Sequence, residues 1–296
     1  ARFIAVLAAA AAAMVAALAW PSRGPARSAG PMAQQAYVWQ RAWTPAVRTA
    51  ASERAAAMDR LIVLGAEVSW GPARQARVAT ADVDFSLLRR TGRPVGVALR
   101  IGPYSGPFAA AGEPIDTLAA VAGGLIARAR AAGVEPAEIQ IDFDCPASKL
   151  DGYAVWLGAI RKAVAPVPVV MTALPSWLGR PGFGLLVEQS PRYVLQVHSL
   201  VRPSSPDHMP PLCDPAAARA AVERAAAAGG EFVVALPTYG YNVAFDASGK
   251  YLGISAEGPA KPWPADAQVR PLCADAAAMA RLVARWTADR PAAMKG

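Results

Sequence analysis

Residues 139–144 read Ile-Gln-Ile-Asp-Phe-Asp, and Cys145-Pro146 follow directly. Side chains alternate across a β-strand, so the three apolar residues share one face, and Gln140, Asp142 and Asp144 share the other. Two carboxylates on one strand are costly to bury unless a site uses them. A strand with one apolar and one acidic face is typical of a barrel whose strand ends project into a reaction site.

Six further apolar stretches have the character of strands, and segments with helical spacing separate most of them. The seven predicted strands are Ala36–Trp43, Leu61–Trp70, Pro94–Ile101, Ile139–Asp144, Val167–Leu174, Tyr193–Leu200 and Phe232–Thr238. The predicted helices include Leu118–Ala132, Leu150–Ala165, Pro215–Ala228 and Ala276–Ala288. Alternating strands and helices predict a parallel sheet with crossover helices. No Gly-rich phosphate fingerprint follows the first strand, which disfavours a dinucleotide-binding fold.

We therefore predict an α/β fold, a TIM-type (β/α) barrel formed by residues 34–296. Eight strands close such a barrel, and the chain stops at Gly296 directly after a helical segment. We expect this chain to lack the last strand; a natural seven-stranded or open barrel is the alternative. The stretch from Tyr239 to Arg270 predicts an insertion that shapes a site, with a hairpin around Asp246–Lys250. A surface flap without a chemical role is the other interpretation of that stretch.

The N-terminus is typical of a targeting segment. Arg2 precedes the apolar stretch Phe3–Trp20, and Ala17-Leu18-Ala19 supplies small residues at the spacing that a signal peptidase reads. The alternative is an uncleaved anchor that tethers the protein to a membrane. We expect residues 1–33 to be this segment plus a flexible lead-in, and the protein to be exported to the periplasm or beyond.

The net charge narrows the range of binding partners, and the cysteine content bears on disulfide formation. The net charge of +8 comes mostly from scattered arginines, so the sequence does not favour a nucleic-acid groove. A solvated basic surface, or attraction to an acidic polymer, explains the charge equally well. Export permits disulfides, and Cys213 and Cys273, each in a Pro-Leu-Cys segment, are candidates to pair. Cys145 is then best explained as a buried structural thiol.

The carboxyl ends of the predicted strands carry acidic, aromatic, amide and imidazole side chains that would meet at one mouth. These residues are Trp39, Glu67, Trp70, Arg100, Asp142, Asp144, Thr172, Trp177, Gln196 and His198, followed by Tyr239 and Tyr241, with Gln140 deeper on the fourth strand. Aromatic faces stack on sugar rings, and paired carboxyls cleave glycosidic bonds. The sequence thus predicts a carbohydrate polymer as partner and indicates no cofactor.

Most of these residues also have a structural explanation. Glu67 and Arg100 would form an ion pair that holds the barrel, and the tryptophans and His198 would fill core positions. Asp142 and Asp144 together are harder to explain in this way. Neighbouring carboxylates repel, so we expect the pKa of one of them to rise. Asp144, nearest the mouth, is the predicted general acid, and Asp142 its supporting carboxylate.

Three motifs resemble those of a bacterial family known only as a domain of unknown function, number 3142. The motifs are IQIDFDCPASKL at 139–150, TALPSWL at 172–178 and ALPTYGY at 235–241. The resemblance extends from about Tyr37 to Gly296, and it implies that one more apolar strand follows.

The fourth strand is more distantly similar to that of chitinase-type (family 18) glycoside hydrolases, whose pattern there is Asp-x-Asp-x-Glu. The corresponding positions hold Gln140, Asp142 and Asp144, and LPTYG at 236–240 is similar to another segment of those enzymes. The resemblance implies a glycoside-hydrolase-like protein that acts on an envelope or extracellular polysaccharide.

Asp144 replaces the catalytic Glu of those enzymes with a shorter side chain, and this departure motivates a second hypothesis. In it, the barrel binds glycan or an envelope partner without catalysis. We predict no metal site; a third and weaker hypothesis is a Mg or Ca ion held by Asp142, Asp144 and Glu67.

Overall fold

The computed structural model describes residues 25–71, 75–256 and 262–296. The predicted targeting segment Phe3–Trp20 lies outside these residues. Within the described ranges, no helix combines the length and the apolar character needed to cross a membrane.

The elements alternate as the sequence predicts. The strands are β1 (Arg27–Ser28), β2 (Gln35–Val38), β3 (Arg60–Trp70), β4 (Ala76–Thr80), β5 (Val95–Ile101), β6 (Pro136–Phe143), β7 (Val169–Ala173), β8 (Arg192–Gln196), β9 (Glu231–Ala235), β10 (Gly240–Phe245), β11 (Tyr251–Ser255), β12 (Gln268–Cys273) and β13 (Arg290–Pro291). The α-helices are α1 (Pro45–Arg54), α2 (Phe85–Thr91), α3 (Ile115–Ala131), α4 (Leu150–Val164), α5 (Pro181–Gln189), α6 (Pro215–Ala228) and α7 (Ala276–Ala288). Two short 3₁₀ turns, Ala55–Ala57 and Ala147–Lys149, precede β3 and α4.

Seven strands form one curled parallel sheet in the order β2-β3-β5-β6-β7-β8-β9. Each neighbouring pair is parallel, and helices connect most of the strands along the chain. β4 adds to β3 as an antiparallel partner. The predicted α/β fold of TIM-barrel type is confirmed, and all seven predicted strands are present.

Residues 293–296 lie between β9 and the residues that precede β2. The amides of Phe232 and Val234 on β9 donate to the carbonyls of Ala293 and Gly296, each at 2.9 Å. On the other side, the Ala33 amide donates to the Lys295 carbonyl at 3.0 Å. This segment therefore connects the two edges of the sheet at the amino ends of its strands.

The two faces of β6 divide as the alternation predicts. Ile139, Ile141 and Phe143 are buried, and the Phe143 ring lies 5.1 Å from that of Tyr153 on α4. The apolar face therefore packs against the helical layer. Asp142 on the opposite face points to the inside of the curled sheet, where side chains of non-adjacent strands meet.

A bulge in β3 sets the register of the site. The pairing of β3 with β5 shifts between Leu64 and Ala66, so that Gly65 is the additional residue. A Cβ atom on Gly65 would lie 2.6 Å from Val97 Cγ1 and 2.8 Å from a methyl carbon of Leu125 on α3. Glycine is therefore required here, because the helix packs directly on the bulge. Beyond the bulge, Glu67 pairs with Arg100.

The stretch after β9 forms a small antiparallel sheet, β11-β10-β12, which we call the cap sheet. β10 and β11 make the predicted hairpin, and Asp246 Oδ1 accepts hydrogen bonds from the Ser248 and Lys250 amides in its turn. Val243, Phe245 and Leu272 of the cap sheet pack with Leu212 in a separate small core. The insertion is thus a folded unit built on the residues that follow β8 and β9.

Candidate active site

Four side chains of the predicted site form one row across the sheet. The strand registers pair Glu67 with Arg100 and Arg100 with Asp142, and Thr172 on β7 donates to Asp142 Oδ1 at 3.0 Å. Paired residues of adjacent strands point to the same face, so the row alternates acid, base, acid and hydroxyl. The row lies at the carboxyl ends of the strands, which is where barrel enzymes carry their active sites.

Asp142 is the best-connected member of this row. Its Oδ1 accepts a second hydrogen bond from Gln196 Nε2 at 3.1 Å, and its Oδ2 lies 3.8 Å from Arg100 Nε. The side chain is only 13% exposed. Burial raises the pKa of Asp142, and the negative charge of Asp144 adds to the rise, while Arg100, Thr172 and Gln196 oppose it.

The predicted rise in the pKa of one carboxyl therefore falls on Asp142, the inner residue. The sequence predicts repulsion between the two aspartates as its cause. Repulsion contributes, but burial is the larger cause, because the carboxyl sits at the bottom of the mouth, shielded from water.

Asp144 lies one residue beyond the end of β6 and is exposed. Among the described residues its carboxylate accepts no hydrogen bond, so it is available to a ligand. Its charge acts on His198, where it partly offsets the lowering of the pKa that burial causes. The His198 Nδ1 lies 2.8 Å from the Tyr239 hydroxyl, and the Tyr239 ring packs edge-on against Tyr241 at 5.3 Å. Asp144, His198 and the two tyrosines thus belong to one rim.

Glu67 is held from two sides. It makes a close hydrogen-bonded ion pair with Arg41, and its Oε1 lies 4.0 Å from Arg100 Nη1. The ion pair predicted between Glu67 and Arg100 is therefore present, although Arg41 makes the shorter contact. Arg41 lies within the first predicted strand, beyond the observed end of β2, and was not among the predicted site residues, because nothing in its neighbourhood distinguishes it from a surface arginine.

A second polar cluster lies deeper in the barrel. Glu138 on β6 is 1% exposed; it forms ion pairs with Arg60 on β3 and, at 2.9 Å, with Arg192 on β8. Gln140 Nε2 donates to Glu138 Oε1 at 2.7 Å, and the Tyr37 hydroxyl on β2 donates to Gln140 Oε1 at 2.7 Å. The contacts of Arg60, Arg192 and Tyr37 join β6 to strands that are not its neighbours in the sheet, so they cross the barrel interior.

This deep cluster fixes the position of Gln140. The side chain is 1% exposed, and both ends of its amide are engaged within the protein. The Gln140 side chain lies below the site row, and no side of it is open to a ligand. The proposed site therefore does not include it. Glu138 was not predicted, although the alternation through Gln140 and Asp142 extends back to it and would have found it.

The three predicted tryptophans differ in position, and Trp70, at the end of β3, packs 4.9 Å from the Tyr104 ring and 6.1 Å from the Trp156 ring. Trp177 is 1% exposed, and its Nε1 donates to the Cys145 carbonyl at 3.1 Å. It therefore packs in the core and presents no ring face, so it too stands outside the proposed site. Trp39 is half-buried and packs edge-on against Tyr37 at 5.6 Å, which leaves it beside the mouth.

The structure also bears on the metal hypothesis and on the cysteines. Within the described ranges, no group of three or more His, Cys, Asp or Glu side chains is arranged to hold a metal ion. Cys145, Cys213 and Cys273 are all free thiols in this structure. Burial raises the pKa of Cys145 to about 12, which makes it a poor nucleophile.

Solved structures with the same fold include two spore cortex-lytic enzymes and a chitinase of bacteria. The spore cortex-lytic enzyme SleL of Bacillus cereus matches with a TM-score of 0.59 at 9% identity, covering 88% of this chain and 68% of that one. SleL of Bacillus megaterium QM B1551 matches with a TM-score of 0.55 at 14% identity, over 82% of this chain. A chitinase from Bacteroides thetaiotaomicron gives 0.52 at 11% identity, over 71% of this chain and 68% of that one. At these identities the likeness concerns the fold alone.

This chain spans 56% of the length of the Bacillus megaterium enzyme. No curated protein matches the chain in sequence. The model of the domain of unknown function DUF3142 matches residues 91–296, which include β5 to β13 and most of the site row. The match is shorter at its start than the resemblance predicted, which began near Tyr37. The chain belongs to the DUF3142 family.

Proposed function

We propose that this protein is a glycoside-hydrolase-like barrel that acts on a polysaccharide of the cell envelope or the extracellular space. The observation that carries the proposal is a buried Asp142 carboxyl, held by Thr172 and Gln196 and bearing a raised pKa, behind an exposed Asp144. Paired carboxyls at strand ends suit glycosidic bond cleavage. The shared fold with a chitinase and with two spore cortex-lytic enzymes supports the same class of substrate.

In the proposed mechanism Asp144 is the general acid. In its protonated form the exposed carboxyl donates a proton to the glycosidic oxygen as the bond to the anomeric carbon breaks; a water molecule then bonds to that carbon and returns a proton to the Asp144 carboxylate. Asp142 holds a proton to higher pH than an ordinary aspartate, and when protonated it does not repel the Asp144 carboxylate. Arg100, fixed between Glu67 and Asp142, positions the inner carboxyl.

The His198–Tyr239 pair supplies binding contacts on the rim that it shares with Asp144. Burial lowers the pKa of His198, so its imidazole is neutral at neutral pH and shares a hydrogen bond with the Tyr239 hydroxyl. Neutral donors and acceptors beside tyrosine rings match the hydroxyl groups and flat faces of sugars. Trp39 extends this aromatic character on the first strand. Export, which the N-terminal sequence predicts, would give the site access to an envelope polymer.

A second candidate function is glycan binding without cleavage. The observation that favours it is the position of Asp144 itself: the carboxylate is short, exposed and, among the described residues, not oriented by a hydrogen bond. General acids are normally held in place by neighbouring groups, so a free carboxylate also fits a binding role.

Turnover measurements on Asp144→Asn separate the two candidates. The wild-type protein and the variant are incubated with chitin, peptidoglycan and a panel of soluble polysaccharides, and the release of reducing ends and the retained polymer are both measured. The hydrolase proposal predicts that Asp144→Asn loses turnover, by about 10²-fold or more, and keeps polymer binding. The matched control is Asp266→Asn, an exposed aspartate outside the site, which should leave turnover unchanged.

Two outcomes would count against this proposal. Asp144→Asn with undiminished turnover would remove Asp144 from the mechanism. Binding of a polysaccharide without cleavage of any member of the panel by the wild-type protein would favour the binding role instead.

A further inference from the structure

A cleft lies between the cap sheet and the loop that follows β8. Its walls are residues 202–207 of that loop, residues 247–251 of the hairpin turn, and Gln268 and Arg270 of β12. Its volume is about 830 Å³, in the range of sites that take small ligands or a short stretch of polymer. We call it the basic cleft, because Arg202, Lys250 and Arg270 line it against the single acid Asp207.

The three cations are available for a ligand. Among the described residues, none of them lies within ion-pair distance of a carboxylate. The Arg202 guanidinium lies 4.8 Å above the Tyr251 ring. Stacking on a ring fixes the plane of the guanidinium and leaves its N–H edge free to form paired hydrogen bonds. Ser204, Ser205 and Gln268 add neutral hydrogen-bonding groups to the lining.

The basic cleft is built from the same segments as the rim of the candidate site. The loop that carries Arg202 continues from His198, and the cap sheet begins directly after Tyr239. The hydrogen bond between His198 and Tyr239 ties these two segments together. A polymer that contacts this pair would follow β10 for roughly 20 Å to reach the cleft walls at the hairpin end.

From this arrangement we infer that the basic cleft binds acidic groups of a glycan, carboxylate or phosphate, and that the polysaccharide which the protein recognises is anionic. Three unpaired cations in a concave polar site concentrate positive potential. Arginine binds both carboxylate and phosphate oxygens through two parallel hydrogen bonds. The overall charge of +8 would draw such a polymer toward the protein. The inference deepens the proposed function and rests on it for the glycan nature of the ligand.

The test measures the affinity of the whole chain for three polymers at about 50 mM salt, where charge interactions are only partly screened. The probes are polygalacturonate for carboxylates, glycerol-phosphate teichoic acid for phosphates and dextran as the neutral polymer. The variant R202Q/K250Q/R270Q removes the cleft cations. The matched control R54Q/R224Q/R281Q removes the same number of positive charges from helices α1, α6 and α7, outside the cleft.

We expect the cleft variant to weaken binding to one of the acidic polymers at least about tenfold and the control less than about twofold, because only the cleft presents converging charges. The polymer that loses affinity identifies the acidic group. Equal losses in both variants, or wild-type binding no stronger to the acidic polymers than to dextran, would overturn the inference. Should the triple variant not fold, R270Q alone is compared with R281Q. Equal affinities of these two variants for the acidic polymers would also overturn the inference. Failure of the proposed function is seen separately, as the absence of cleavage of every polysaccharide in the turnover panel by the wild-type protein.

Discussion

At the scale of single residues, Asp142 differs most from an ordinary surface aspartate. Its environment raises its pKa, so the folded protein binds a proton there more readily than the unfolded chain, for which the ordinary value is 3.8. As the pH rises above that value the unfolded chain ionises first, and the wild-type protein loses stability relative to a neutral side chain at this position.

The variant Asp142→Asn should therefore gain free energy of unfolding relative to wild type at pH 7 and not at pH 3. The asparagine Oδ1 can still accept the hydrogen bonds of Thr172 and Gln196, so the comparison isolates the charge. Urea unfolding at the two pH values measures the difference, with Asp266→Asn as the exposed control. A difference in free energy of unfolding that is the same at both pH values, or that favours the wild type at pH 7, would show that the buried charge of Asp142 does not destabilise the protein.

At the scale of elements, one face of β6 carries both a stabilising ion cluster and a residue of the candidate site. Glu138 near its start joins the strand to Arg60 and Arg192, while Asp142 near its end belongs to the site. Removing one partner of a buried ion cluster leaves the others without a counter-charge. We expect Glu138→Gln to lower the free energy of unfolding by about 3 kcal/mol, near the lower end of such effects because both arginines are partly exposed.

The control for this variant is Glu135→Gln, directly before β6. Glu135 pairs with Arg130 at 2.6 Å on the exposed surface, so its loss should leave stability nearly unchanged. Chemical denaturation of both variants provides the comparison. Equal stability of Glu138→Gln and wild type would mean that the deep cluster does not hold the barrel together.

The elements also show what periodicity can and cannot predict. Helices α6 and α7 have the predicted bounds, because Asp214 and Asp275 cap their first turns with hydrogen bonds to backbone amides. Helix α5 was missed, since it contains Gly182 and Gly184, which do not favour a helix. Strand β4 was missed because all its residues are exposed and lack the alternation of a half-buried strand.

At the scale of the whole molecule, the rule that parallel strands end at one edge of the sheet predicted which polar side chains come together. It assembled Glu67, Arg100, Asp142 and Gln196 from four strands that are distant in sequence. Depth inside the barrel could not be predicted in the same way, and Gln140 and Trp177 therefore turned out to be buried. The basic cleft was also missed, because the cap sheet brings Arg202 and Arg270 together by tertiary folding that no local pattern records.

We propose that the Asp144 side chain contacts the scissile bond of a glycan at this mouth. The most direct measurement is a crystal structure of the Asp144→Asn variant with a bound oligosaccharide from the polymer that the wild-type protein cleaves or retains. We predict a glycosidic oxygen about 3 Å from the side chain at position 144, with a neighbouring sugar against His198 and Tyr239. A sugar chain bound elsewhere on the molecule, with this mouth empty, would contradict it.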